Sequence, residues 1–195
     1  MKALAREYAV CELRHETNRG YGAALKTGFL WVAQNAQPAD AVVTLDADNT
    51  QDPDYIPALL NKLEEGYDVV TASYTMEGGH ASGLPYGRYM MSTIVNSLFR
   101  LVVSLPGVET YTNGLRAFRA SFIRRANETY HDAMIEESGF PGGTEFFIKV
   151  VGLGARASEV PFQLHYENRG GASKIRFIRT IARYLALLAR APGFQ

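Results

Sequence analysis

Two aspartates one residue apart are the clearest candidates for chemistry in this sequence. Asp46 and Asp48 follow a short apolar, β-branched run at 41–45, which predicts a buried strand that carries charge to a sheet edge. In a regular strand, both carboxylates would share one face. Because they repel each other, a hard divalent cation that also binds substrate phosphates is the simplest partner. A solvated acidic turn remains the alternative, since residues 48–53 favour turns and helix starts.

Glycine and arginine residues provide candidate sites for an anion. Gly20 and Gly22 stand at the mouth of a helix predicted to run to about Gln34, where free backbone N–H groups would face an anion. A capped tight turn explains the same glycines. Arg116 lies on a short apolar strand at 116–119, where it would bind an anion or form a surface ion pair. Arg88 follows a Gly-rich segment that predicts a mobile loop, and it is a further anion-binding candidate.

Glu145 is the candidate for a base or an orienting group. It directly follows Thr144, which the pattern predicts as the cap of a largely apolar helix. A glutamate in that first turn either interacts with the helix dipole or points into a cleft.

The elements that must position these residues alternate between strand and helix. Apolar spacing predicts a helix over 54–65 and a buried strand over 68–73, and Pro161 places a last strand, 159–166, near a sheet edge. Such alternation is typical of a parallel sheet covered by helices on both faces. Ligands bind beyond the carboxyl ends of the strands in such sheets, which is where Asp46 and Asp48 fall.

Composition narrows the class of protein. The chain has 195 residues, 47% of them hydrophobic, so it can bury the core of a single domain. Lys plus Arg and Asp plus Glu number 20 each, which argues against a nucleic-acid partner. A single cysteine excludes an intramolecular disulfide, and there is no apolar run long enough to span a bilayer. We expect a cytoplasmic protein that is soluble or lies on a surface.

The C-terminal segment predicts an amphipathic helix over 175–195, after a domain at 1–174. Four arginines recur there on one stripe, while apolar side chains cover much of the remainder: Arg176, Arg179, Arg183 and Arg190. Such a helix could lie on an anionic membrane surface, at the cytoplasmic face. Docking against the protein's own core is the alternative.

Taken together, these stretches resemble the family 2 inverting glycosyltransferases with the GT-A fold that include dolichyl-phosphate mannose synthase and polyprenyl-phosphate sugar transferases. The matching pieces occur in family order over about residues 18–174: 18–28, Asp46-Ala47-Asp48 with Asp52-Pro53, Asp68-Val69-Val70, 112–116, Glu145, Glu159-Val160-Pro161 and 171–174. The resemblance implies an α/β fold with a Rossmann-like, mostly parallel sheet.

The resemblance also implies roles for individual residues. Asp46 and Asp48 would hold Mg²⁺ or Mn²⁺ against the diphosphate of a nucleotide sugar, a GDP- or UDP-hexose. Asn18, Gly20 and Gly22 match the turn near the donor. Arg116, Ser173 and Lys174 match positions that receive the acceptor phosphate or the donor diphosphate. A lipid phosphate acceptor needs no general base, whereas a sugar hydroxyl would require a carboxylate such as Glu145.

Some family features differ or are absent. The family begins with two strands that are not recognisable here, so we expect a sheet truncated at its N-terminal side, with an exposed edge that could pair with a second copy. Tyr74 stands where the family commonly has arginine, and a second family arginine falls on Asn168, one place before Arg169. Two other functions remain open: transfer to a hydroxyl acceptor in polysaccharide or glycolipid synthesis, and a non-catalytic binding module.

Overall fold

The helices and strands that position the site are described by a computed structural model over residues 10–169 and 177–194. In chain order they are α1 (Tyr21–Asn35), β1 (Ala41–Thr44), α2 (Ile56–Glu64), β2 (Val69–Ser73), β3 (His80–Ser82), α3 (Tyr86–Val103), β4 (Arg116–Arg119), α4 (Ala120–Tyr130), α5 (Pro141–Gly152), β5 (Ala157–Pro161), β6 (Gln163–His165) and α6 (Phe177–Arg190).

The central sheet has four strands in the order β1-β4-β2-β5. Strands β1, β2 and β5 run in the same direction, and β4 runs antiparallel to both of its neighbours. The predicted α/β fold with a mostly parallel sheet is therefore confirmed. Because β4 runs the opposite way, the residues that precede it lie at the same edge of the sheet as the carboxyl ends of the other three strands.

Helices cover both faces of this sheet, as the sequence predicted. On one face, α2 packs on the sheet through Leu59 and Leu63, which are fully buried. On the other face, α1, α3, α4, α5 and α6 contribute to a larger core that contains Phe29, Phe118 and Phe146. The sheet edge that carries the site is therefore held rigidly by two cores.

Strand β1 is the edge strand of the described sheet and pairs with β4 alone there. Its residues are half-buried or exposed rather than buried, unlike the five residues of β2. The strand predicted over 8–13 is not seen at Val10–Leu13, where the described backbone is irregular, and its first two residues lie outside the described part.

Several predicted boundaries move in the structure. The Gly-rich segment at 75–85 contains β3, which pairs in parallel with β6 in a separate two-stranded sheet. The predicted strand over 159–166 is split in two after Pro161, because β5 joins the central sheet whereas β6 joins β3. Helix α5 begins at Pro141, so Glu145 lies in its second turn and Thr144 is not its cap.

Helix α6 docks on the protein's own core. Tyr184, Leu187 and Ala191 are buried in the larger core, and the helix packs against α3 and α5. Arg183 and Arg190 form ion pairs with Glu137 and Glu136 rather than facing away from the protein. The arginine stripe that suggested a membrane surface is therefore partly directed inward, and Arg176 lies outside the described residues. No helix in the described part is long and apolar enough to cross a bilayer.

Candidate active site

A cleft opens at the carboxyl ends of the parallel strands. It is lined by the turn after β1, by the residue after β2, by the start of α3, by the segment before β4 and by one face of α6: Asp46, Asp48, Thr50, Gln51, Tyr74, Arg88, Ser92, Thr112, Asn113, Gly114, Phe140, Tyr166, Arg169, Thr180 and Tyr184 are among its residues. The sequence placed the ligand site at this edge, and the structure places a cleft there.

Asp46 and Asp48 both line the cleft, although neither is in a strand. Strand β1 ends at Thr44, whose hydroxyl donates to the Gly114 carbonyl (2.6 Å). A turn follows, in which the Thr50 hydroxyl donates to Asp48 Oδ1 (2.7 Å) and the Asp46 N–H donates to Gln51 Oε1 (2.9 Å). Both aspartates are half-buried in this turn, which is the turn that the sequence left open as the alternative to a strand end.

The oxygen atoms of this turn fit a divalent cation shared with a phosphate ligand. Burial chiefly, and the charge of Asp48 next, raise the pKa of Asp46, while Arg169 lowers it. In the described residues no three His, Cys, Asp or Glu side chains form a group able to hold a metal. Mg²⁺ is typically bound by one or two carboxylates that share it with substrate phosphates, so a two-aspartate site suits an ion that arrives with its ligand.

Two arginines line the cleft and lie against the same aromatic ring, and one of them also contacts the acidic turn. The guanidinium groups of Arg88 and Arg169 lie 5.2 Å and 5.6 Å from the ring centroid of Tyr166. Arg169 also donates to the Tyr166 hydroxyl (3.3 Å), and its Nε lies 3.8 Å from Asp48 Oδ2. We call Arg88 and Arg169 the arginine pair. Guanidinium groups are well suited to binding phosphate oxygens.

Arg116 lies beneath the cleft and does not line it. Its side chain is 2% exposed and donates to the Thr71 hydroxyl (3.0 Å) and to the backbone carbonyls of Gly143 (3.0 Å) and Tyr111 (2.5 Å). Burial lowers its pKa to about 10, and the guanidinium stacks 4.5 Å from the Phe147 ring. The geometry therefore favours a role in joining the sheet to α5 over direct contact with a ligand.

Glu145 is also turned away from the cleft and is fully buried. Its Oε1 accepts from Lys149 Nζ (2.7 Å), and its Oε2 accepts from the backbone N–H groups of Glu136 (3.0 Å) and Glu137 (2.8 Å). Both oxygens are thus occupied in holding the loop at 136–140. That loop carries Phe140 to the cleft, so Glu145 positions a cleft wall.

Asn18, Gly20 and Gly22 hold the start of α1 against the same loop and do not line the cleft. Asn18 Oδ1 accepts from the Gly20 N–H (2.9 Å), and the Gly22 N–H donates to the Ser138 carbonyl (2.9 Å). A Cβ atom at Gly22 would collide with the Glu137 carbonyl. These residues therefore form the tight turn that the sequence allowed as the alternative to an anion site. Ser173 and Lys174 lie outside the described residues.

A comparison with known proteins assigns the chain to a family. The family described as Glycosyl transferase family 2 matches residues 1–126, which is more than half of the chain. The chain belongs to glycosyl transferase family 2. This confirms the resemblance drawn from the order of the motifs.

Three similar curated proteins are named for a polyprenol or for its phosphate. The undecaprenyl-phosphate mannosyltransferase of Micrococcus luteus is 30% identical over 171 residues, which are 88% of this chain and 67% of that protein. The polyprenol monophosphomannose synthase of Mycolicibacterium smegmatis is 27% identical, over 89% of this chain and 64% of that protein. The dolichol-phosphate mannosyltransferase of Pyrococcus furiosus is 27% identical, over 96% of this chain and 49% of that protein. The chain thus spans about half to two thirds of their length.

The fold is similar to that of a solved glycosyltransferase. The glucosyl-3-phosphoglycerate synthase of Mycobacterium tuberculosis, crystallised with Mn²⁺, uridine diphosphate and phosphoglyceric acid, matches with a TM-score of 0.59. The match covers 97% of this chain and 58% of that chain at 17% identity, so it supports the fold.

Sequence reasoning missed several residues of this family 2 cleft. The Gln51 amide donates to Asn113 Oδ1 (3.3 Å) beside Asp46, and the Tyr166 ring contacts both arginines. Asn113 lies within a matched family segment, which was a usable signal. No sequence pattern indicated Tyr166, because its position in the cleft depends on β6 pairing with β3 and not with the central sheet.

Proposed function

We propose that this chain is the catalytic part of a glycosyltransferase that moves a hexose from a nucleotide diphosphate sugar to a polyprenyl phosphate with inversion. The observation that supports it is the cleft itself, which Asp46 and Asp48 line together with the arginine pair. A transferase of this kind must hold two phosphate groups at once, one leaving and one attacking. The cleft offers a cation site for one of them and two guanidinium groups for the other.

The acidic turn would hold Mg²⁺ or Mn²⁺ against the donor diphosphate. Asp46 and Asp48 supply carboxylate oxygens, and the Gln51 amide, which contacts Asp46, fixes the turn. When bound, the ion neutralises charge on the departing nucleoside diphosphate. The protein's own contribution is to keep two carboxylates side by side in a half-buried turn.

The acceptor is proposed to be a lipid phosphate because the described residues of the cleft offer no separate base. Asp46 and Asp48 are the only carboxylates among the described residues that line it, and both belong to the proposed metal site. Glu145, the one candidate for a base, is turned away. A phosphate acceptor is already anionic at neutral pH and needs no proton removed, whereas a hydroxyl acceptor does. The arginine pair would receive that phosphate.

Binding and transfer assays test this proposal. Calorimetry with Mn²⁺ and GDP-mannose or UDP-glucose should show binding that Asp46→Asn and Asp48→Asn each abolish. Asp54→Asn, which removes a carboxylate outside the cleft, is the matched control. Transfer of labelled hexose to a polyprenyl phosphate should fall at least about tenfold in Arg88→Gln and in Arg169→Gln, because each removes a charge-assisted contact. No binding of any donor by the unchanged chain would refute the proposal.

We further propose that a surface next to the cleft lies on the cytoplasmic face of a membrane, where a lipid acceptor would be found. Helices α3 and α6, which both contribute residues to the cleft, pack side by side, and both expose large apolar side chains. These residues form the α3–α6 face: Tyr86, Tyr89, Met90, Ile94, Leu101, Ile178 and Leu185. Several are spaced by four residues along α3, as expected of one helix side.

Vesicle sedimentation tests the membrane proposal. The chain should sediment with vesicles that contain anionic phospholipid, and Ile94→Asp with Ile178→Asp should abolish this without loss of folding. Asn61→Asp, on α2 at the other face of the sheet, should leave sedimentation unchanged. Equal sedimentation of all three proteins would show that the α3–α6 face is not the contact.

A further inference from the structure

A chain of three hydroxyl groups forms one wall of the cleft. Tyr74 Oη lies 2.7 Å from Ser92 Oγ, and Ser92 Oγ lies 3.2 Å from Thr112 Oγ1. All three residues line the cleft. Tyr74 follows β2, Ser92 is on α3 and Thr112 precedes β4, so three separate elements bring these hydroxyls together. We call them the hydroxyl wall.

The buried amide of Asn96 fixes the direction of hydrogen bonding in this wall. Asn96 is 4% exposed, and its Oδ1 accepts from the backbone N–H groups of Tyr111 (2.9 Å) and Thr112 (3.2 Å). Its NH₂ group must then be the part that faces Ser92, and Nδ2 donates to Ser92 Oγ (3.3 Å). One lone pair of Ser92 is therefore already used.

This leaves Ser92 able to accept one further hydrogen bond and to donate one. A hydroxyl has two lone pairs and one proton, so Ser92 accepts from one neighbour and donates to the other. If Tyr74 donates to Ser92, then Ser92 donates to Thr112, and the Thr112 O–H is left to point into the cleft. In the opposite order, the Tyr74 O–H is left. Either way, one end of the wall offers a donor to the cleft and both ends retain acceptor capacity.

A ligand group that both donates and accepts suits such a wall. Phosphate oxygens only accept and are better held by guanidinium groups, which lie elsewhere in the cleft. Sugar hydroxyls donate and accept, and a buried polar contact distinguishes strongly between a hydroxyl that is present and one that is missing. The side chains of the wall carry no formal charge at neutral pH, because serine and threonine do not ionise and tyrosine is protonated there.

The wall also borders both proposed phosphate sites. Thr112 is two residues before Gly114, where an added Cβ would lie 3.2 Å from Asp46 Oδ2. Ser92 is one helical turn after Arg88 on α3, so the two share one side of that helix. The hydroxyl wall therefore adjoins the acidic turn through Thr112 and Arg88 through Ser92. A group transferred from a leaving diphosphate to an attacking phosphate in this cleft would be within reach of it.

We infer that the hydroxyl wall, through Thr112, Ser92 and Tyr74, binds a hydroxyl group of the hexose of the donor and thereby selects which sugar is transferred. This inference rests on the proposed function, since it assumes a nucleotide sugar in the cleft. It assigns sugar recognition to residues other than the proposed metal ligands and arginines.

Calorimetry with matched nucleotides tests the inference. The dissociation constants of GDP and GDP-mannose, and of UDP and UDP-glucose, are measured in the presence of Mn²⁺. For the nucleotide that binds, the ratio of the two constants gives the contribution of the sugar to affinity. Thr112→Val should weaken binding of the nucleotide sugar by about 5-fold to 10-fold and leave the free nucleotide unchanged, because one hydrogen bond is lost. Thr112→Ser should restore it. Thr93→Val removes a hydroxyl on the exposed side of α3 and should change neither.

A double variant sharpens the test. Ser92 and Thr112 act in one chain of hydrogen bonds. The double variant Ser92→Ala/Thr112→Val should therefore bind the nucleotide sugar as tightly as whichever single variant binds it less tightly. Equal weakening of the sugar nucleotide and the free nucleotide in Thr112→Val would overturn the inference, as would no change in either. If the unchanged chain binds free nucleotide with Mn²⁺ but gains nothing from the sugar, the inference fails while the proposed function stands. Absence of any nucleotide binding would overturn both.

Discussion

Replacing Glu145 by glutamine separates a base from a structural residue. In the structure Glu145 is fully buried, with one oxygen 2.7 Å from Lys149 Nζ and the other accepting the N–H groups of Glu136 and Glu137. Glutamine has the same shape but only one acceptor oxygen. Its NH₂ group must therefore face either the ammonium or the two backbone donors, and donors would meet donors in both arrangements.

The expected cost follows from these contacts. Breaking a buried ion pair by removing one charge typically costs about 3–5 kcal/mol, because the other charge stays buried. Lys149 would keep the Ala133 carbonyl (2.5 Å) and Glu136 Oε2 (3.4 Å), which places the cost near the lower end of that range. We expect Glu145→Gln to lower the free energy of unfolding by about 3 kcal/mol.

Urea denaturation measures this loss, and nucleotide binding provides the second readout. Glu128→Gln, at an exposed site on α4, should change the free energy of unfolding by less than about 0.5 kcal/mol. Mn²⁺-dependent nucleotide binding by folded Glu145→Gln should persist, because Asp46 and Asp48 are untouched. If stability were unchanged while hexose transfer fell to background, Glu145 would be acting as a base. The structural role and the preference for a phosphate acceptor would then both be refuted.

Three further predictions concern the residues that hold the cleft. Gly22→Ala should destabilise the protein by about 1–3 kcal/mol in thermal or urea unfolding, because the added Cβ would meet the Glu137 carbonyl. Gly28→Ala is the control: its added Cβ would meet no atom within 4 Å, so it should stabilise the helix by about 0.5–1 kcal/mol. Arg116→Lys should cost about 2–3 kcal/mol in urea unfolding, since an ammonium cannot reach the three acceptors that the guanidinium joins; unchanged stability would argue against that role. Burial raises the pKa of Glu159 above its ordinary 4.5, so the ionised form is disfavoured in the fold, and stability is lost as pH rises through the raised pKa. Glutamine at position 159 does not titrate. The melting temperature of Glu159→Gln minus that of the unchanged protein should therefore be larger at neutral pH than below pH 4.5. The same difference at both pH values would contradict this prediction.

Local patterns predicted the elements of this fold better than their pairing. The apolar spacing of 54–65 and 68–73 indicated α2 and β2, and both are found with shifted ends. Nothing in those patterns indicated that β4 would lie between β1 and β2 and run against them. Strand order depends on contacts far apart in the chain, whereas periodicity reports only which side of an element is buried. The split at Pro161 is similar, since proline indicated an edge but not a change of sheet.

Because local patterns do not report contacts between distant parts of the chain, they predicted the position of some candidate site residues and not the partners of others. The position of Asp46 and Asp48 at the cleft could be predicted, because an apolar run directly before two carboxylates indicates a strand that ends there. Arg116 and Glu145 are charged residues in apolar segments, and such a pattern suits a ligand contact as well as a buried internal partner. Their partners, Gly143 and Lys149 among them, become visible only once the helix that carries them is packed. A buried charge in a family motif therefore marks the region of a site, and only its hydrogen-bond partners tell whether it touches the ligand or holds the wall that does.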